Sequence, residues 1–112
     1  MRYSRLAQLG LSIVSLSTAP ACDSGPDLAP SASQAATEYR EIFQVVKDAG
    51  ADLVLLETVN SIGEARVAME AAKQIGLPCW VAFVPDEQGQ LFTGETLEAA
   101  VAVLEPLGVD AI

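Results

Sequence analysis

From Glu38 onward, apolar residues recur in two alternating rhythms. Over residues 38–49 they fall at Tyr39, Ile42, Phe43, Val45 and Val46, the spacing of a helical stripe. Gly50 follows, a residue type that readily takes the left-handed conformation ending a helix. Asp52 then leads into Leu53-Val54-Leu55-Leu56, an unbroken apolar run that predicts a strand buried on both faces and ended by Glu57-Thr58. Ser61-Ile62-Gly63-Glu64 has the spacing of a capping box and opens a second helix reaching about Ile75. Gly76 stops that helix, and residues 79–84 form the next apolar run. Pro85-Asp86-Glu87-Gln88-Gly89 is turn chemistry. Thr96 is placed to cap a third helix over residues 97–107, which Gly108 stops before a further strand begins at residues 109–112.

The unit is helix, glycine, apolar strand, polar loop, helix. Strands alternating with helices at this interval predict an α/β fold of about three β/α units with parallel strands. Periodicity alone leaves a closed barrel and an open doubly wound sheet both standing. Neither a dinucleotide-binding glycine fingerprint nor a P-loop is present.

In parallel β/α proteins the chemistry gathers at the carboxyl ends of the strands. Those ends here are Glu57-Thr58-Val59-Asn60 and Val84-Pro85-Asp86. Glu57 is the leading candidate, because an acid directly after four apolar residues can present a carboxylate to a cationic ligand group. The plainer reading of Glu57 is support for the following helix, or a solvated rim. Asn60 reads first as a helix cap and second as a ligand contact. Asp52 and Asp110 stand at strand starts and read as structural; Asp86 and Glu87 read as solvated turn residues. Cys79 reads as a small core residue, and Trp80 as packing on the helix side of its strand.

Charge and composition narrow the field. The net charge is −9 and the residues are 51% hydrophobic, which fits a folded chain rather than a disordered one. So acidic a body repels nucleic acid, and no nucleic-acid partner is expected. With no histidine, imidazole catalysis and histidine metal ligands are excluded. Two distant cysteines, Cys22 and Cys79, make neither a disulfide framework nor a zinc site.

The amino-terminal part reads differently. Arg2 and Arg5 precede an apolar stretch, and Ala19-Pro20-Ala21 stands before Cys22, the outline of a secretory signal. Residues 1–22 are therefore expected to be a signal-like or unstructured leader outside the fold. Residues 23–37 are expected to be a flexible linker, and 38–112 the folded body.

Several blocks of the body resemble the homocysteine S-methyltransferase family. Ala49-Gly50-Ala51-Asp52-Leu53-Val54-Leu55-Leu56-Glu57-Thr58 is similar to its G-A-D-hydrophobic-E-T block. Gly76-Leu77-Pro78-Cys79-Trp80-Val81 resembles its G-L-P-V-W-V segment. Gly94-Glu95-Thr96-Leu97-Glu98-Ala99-Ala100-Val101 resembles a further helix start. The similarity runs from about Glu38 to Ile112.

The resemblance implies a partial (β/α)8 TIM barrel and methyl transfer to homocysteine, giving methionine, in the cytoplasm. It implies that Glu57, with Thr58 beside it, binds the substrate amino group. It also implies a zinc ion, held by three cysteines, that binds the homocysteine sulfur and keeps it as thiolate. Neither Cys22 nor Cys79 matches those cysteines, so no zinc, no metal ligand and no catalytic residue is expected in this chain. The expectation is a segment inactive alone. The alternative is an exported or tethered non-catalytic β/α module. Unpaired sheet edges predict marginal stability or self-association.

Overall fold

The computed structural model describes residues 2–6, 11–17 and 31–112. Its elements in chain order are β1 (Arg2–Leu6), β2 (Leu11–Ser17), α1 (Ala32–Asp48), β3 (Leu53–Val59), α2 (Ile62–Ile75), β4 (Cys79–Phe83) and α3 (Leu97–Leu104). A 3-10 turn, Glu105–Leu107, follows α3. The strands form one sheet in the order β1-β2-β3-β4. β1 pairs antiparallel with β2, whereas β2–β3 and β3–β4 are parallel. A single parallel bridge from Trp80 to Ala111 begins the next position beyond β4. From β2 on, each strand lies beside its sequence neighbour, so the sheet is wound in one direction.

The helices cover one face of the sheet. Val54 and Leu56 of β3 stand opposite Cys79 and Val81 of β4, and Val14 and Leu16 of β2 align with them. This row packs with Phe43 and Val46 of α1, with Ala65, Ala68, Met69 and Ala72 of α2, and with Leu104 of α3. The small residues of α2 let its backbone lie close to the strands. Helices α1 and α2 run in the same direction, as successive β/α units require. Tyr39 meets Glu64 near the start of α2, while Lys47 Nζ donates to the Ile75 carbonyl at its end.

The predicted helix stops hold. Gly76 and Gly108 both take left-handed φ, 73° and 81°, and their N–H groups return to preceding carbonyls. The third helix is shorter than expected: Pro106 brings its last turn into 3-10 geometry after Leu104.

The expectation that residues 1–22 stand outside the fold is corrected. β1 and β2 lie within that stretch, and β2 supplies the parallel neighbour of β3. The reason is burial: Val14 is buried and Leu16 half-buried against the common core, which a two-residue period serves and a leader would waste. The linker expectation for residues 23–37 is corrected over 32–37, which belong to α1; residues 18–30, including Cys22, lie outside the described residues. Helix α1 starts at Ser31, whose hydroxyl accepts the Gln34 N–H at 3.2 Å. Trp80 is corrected too. It stands opposite Leu55, on the face away from the helices, and remains 36% exposed.

Candidate functional site

The carboxyl end of β3 departs from regular strand geometry where the candidate residues lie. Between Leu56 and Val59 the strand advances three residues while β4 advances two, from Val81 to Phe83. The extra residue is a β-bulge. Thr58 carries it with φ of 59°, the single positive φ at a non-glycine position among the described residues. A β-branched residue in that region is a true outlier. The effect is a slip of phase. Leu56 and Val59 both enter the core, and Glu57 and Thr58 between them are both half-buried outside it. The strand thus extends to Val59, three residues beyond the end expected at Leu56.

Two loops frame this bulge. Ser61 caps α2, its hydroxyl accepting the Glu64 N–H at 3.1 Å. The Glu64 carboxylate takes the Tyr39 hydroxyl at 3.1 Å and a backbone bond from Asn60. Asn60 is therefore not the cap; its carbonyl instead lies 3.2 Å from the Thr93 hydroxyl, whose one proton it shares with the Glu95 carboxylate. Glu95, from the loop between β4 and α3, takes two bonds on Oε2. The Ile62 N–H donates at 2.8 Å and the Thr93 hydroxyl at 2.8 Å. Sequence reading missed Thr93 and Glu95, because nothing in a loop's composition reveals which distant backbone group it meets.

Asp86 is exposed but ordered by an Asx-type turn: its Oδ1 accepts the N–H groups of Gln88 and Gln90, each at 2.9 Å. Thr96 caps α3 as expected, accepting the Ala99 N–H at 3.1 Å. Asp110 is structural, its Oδ2 taking the Cys79 N–H at 3.1 Å.

Cys79 lies at the start of β4, the opposite pole from Glu57, and is buried. Burial, with the Asp110 carboxylate adding to it, pushes its thiol pKa up to about 12. A cleft of about 280 Å³ opens at this pole beside Lys73, Cys79 and Asp110, remote from the bulge. Among the described residues no group of three or more His, Cys, Asp or Glu could hold a metal ion. No helix among the described residues is long and apolar enough to cross a membrane.

The profile of the family described as Homocysteine S-methyltransferase matches residues 3–112. The match begins within β1, well before the Glu38 boundary seen in the sequence blocks, and includes β2. The methionine synthase of Mycobacterium leprae (strain TN) is 34% identical over 89 aligned positions, covering 68% of this chain. Among solved structures, the apo form of the homocysteine methyltransferase MmuM from Escherichia coli superposes with a TM-score of 0.69 over 86% of this chain at 22% identity. The chain spans 7% of the methionine synthase and 34% of the Escherichia coli enzyme. With the profile covering nearly its whole length, this chain belongs to the homocysteine S-methyltransferase family.

Proposed function

We propose that this chain is a segment of a (β/α)8 homocysteine-binding barrel and carries the part of the site that grips the amino-acid end of the substrate. Glu57 is the group that takes the homocysteine ammonium, and Thr58 lines the same position. The observation that carries this reading is the bulge, which turns both residues away from the core at the carboxyl end of a parallel strand. A half-buried carboxylate there offers an ammonium group charge-assisted hydrogen bonds stronger than those at an exposed site. Both residues already engage neighbouring groups, so substrate binding exchanges partners rather than filling a bare position.

The full family reaction moves a methyl group from a donor to the sulfur of homocysteine. On our reading this chain does not perform it alone. Cys79 is a poor zinc ligand, buried and held as thiol at the opposite pole. The family reading also makes it a cytoplasmic protein, with homocysteine and a methyl donor as partners of the complete barrel.

Calorimetric titration of the 112-residue chain with L-homocysteine tests the reading. Weak saturable binding that E57Q abolishes is expected, together with no stoichiometric zinc in the purified protein. Binding untouched by E57Q would remove Glu57 from the site, and tight stoichiometric zinc would overturn the account of the missing metal.

A second reading, association through the open sheet face, is favoured by Trp80. A tryptophan 36% exposed beside Leu55, on the face the helices leave uncovered, is an apolar surface suited to a second copy.

A further inference from the structure

We infer that Glu95 is a positioning residue for the rim of β3: together with Thr93 it locks the backbone of Asn60 and Ile62 and thereby holds Thr58 in the left-handed conformation that sets the direction of Glu57.

The argument starts from strain. A β-branched residue at φ 59° is costly and persists only where its surroundings over-determine it. Only Val59, Asn60 and Ser61 separate Thr58 from the first residue of α2. That short segment is pinned at every step. Val59 is 1% exposed and pairs with Phe83 across the bulge. The Asn60 carbonyl shares the Thr93 hydroxyl proton with Glu95, and the Asn60 backbone also bonds to the Glu64 carboxylate. Ser61 caps α2. The Ile62 N–H, one of the helix donors without an intrahelical acceptor, is taken by Glu95.

The two bonds to Glu64 are made within the β3–α2 segment itself, and the Val59–Phe83 pair belongs to the sheet. The Glu95–Thr93 pair is different, because it arrives from the loop after β4 and ties two successive β/α loops together. Its two 2.8 Å bonds meet on one carboxylate oxygen. One is to a backbone N–H at the positive end of a helix dipole, where an anion is favoured. Without this clamp, the N-terminal turn of α2 can shift along the helix axis. Thr58 then regains a negative φ, and Glu57 turns with it.

The test uses the intact chain, labelled for NMR, as wild type, E95A, E95Q and T93V. Backbone couplings at Thr58 report the sign of φ, and amide exchange at Ile62 reports the clamp. In E95A, Thr58 is expected to move to negative φ and Ile62 to exchange roughly tenfold faster, the loss of one charge-assisted bond. E95Q keeps an amide oxygen in place and is expected to restore the wild-type Thr58 couplings. T93V is expected to shift Thr58 in the same direction as E95A, and it decides the matter if E95A fails to fold. A folded E95A, or failing that T93V, with unchanged Thr58 couplings would overturn the inference.

Its consequence for binding rests on the proposed role of Glu57: E95A should weaken L-homocysteine binding, with E95Q recovering it. If the wild type does not bind homocysteine, that role fails, while the Thr58 couplings still decide the clamp.

Discussion

The Tyr39 hydroxyl donates to the Glu64 carboxylate at 3.1 Å, joining α1 to the first turn of α2. Burial raises the Glu64 pKa above its ordinary 4.5, and the bonds from Tyr39 and the Asn60 backbone only partly oppose the rise. The same pair raises Tyr39, chiefly by burial and then by the Glu64 charge. The folded state thus binds the Glu64 proton more tightly than the unfolded chain does. Its stabilising contribution is complete below pH 4.5 and is lost as pH rises through the raised folded value. In thermal melts from pH 4 to 7, E64Q should therefore gain on the wild type as pH rises. A gap that moves the other way would contradict this assignment.

Y39F sharpens the same test. Removing a bond that lowers the Glu64 pKa should raise it further, widening the pH window over which stability declines. The cost of the lost bond should be about 1 kcal/mol at neutral pH. Urea denaturation at pH 5 and pH 7 measures both effects.

Thr58 predicts an inverted substitution order. At ordinary φ, alanine is more stable than glycine, but at 59° the alanine Cβ meets the following carbonyl. T58G should be more stable than T58A by about 1 kcal/mol, although both lose the same hydroxyl and methyl. Chemical denaturation of the pair checks it, and equal midpoints would show that the left-handed conformation is not retained in solution.

Cys79 should be inert. With its thiol raised to about 12 and its side chain buried, the thiolate fraction at pH 8 is negligible. Peptide mapping after iodoacetamide treatment should find residue 79 alkylated only when denaturant is added. Modification at the same rate in native buffer would contradict both its burial and its ionisation state.

Trp80 carries the prediction for association. Sedimentation of the purified chain should show a concentration-dependent dimer, and W80E should shift it to monomer without altering far-UV circular dichroism. A wild type that remains monomeric across the concentration range would remove the open face as an interface.

Much of this architecture is legible in the amino-acid sequence. Leu53–Leu56 and Cys79–Val84 announce themselves as apolar runs within what become β3 and β4, and Gly76 and Gly108 mark helix ends because their φ values suit few other residues. Glu57 draws attention in the sequence because an acid directly follows four apolar residues. The bulge beside it does not. Its trace, buried Leu56 and Val59 three positions apart, is too short to tell from an ordinary strand end. Ser31 with Gln34 is a capping-box spacing that marks the true start of α1, but the polar composition around it masks the signal. β2 was hidden for a physical reason: short, serine-interrupted and preceded by arginines, it satisfies the outline of an export leader as well as that of a strand. Only pairing with Leu53–Val59 separates the two.

The adjacency of β2, β3 and β4 in chain order has a bearing on biogenesis. Among the described residues, the parallel pairings β2–β3 and β3–β4 each join strands with one α-helix between them, so each closure spans a modest stretch of polypeptide and loses little entropy. During synthesis, each newly emerged strand can dock on its predecessor as soon as the intervening helix has cleared the ribosome, and the layers accrete from the amino terminus without waiting for distant partners.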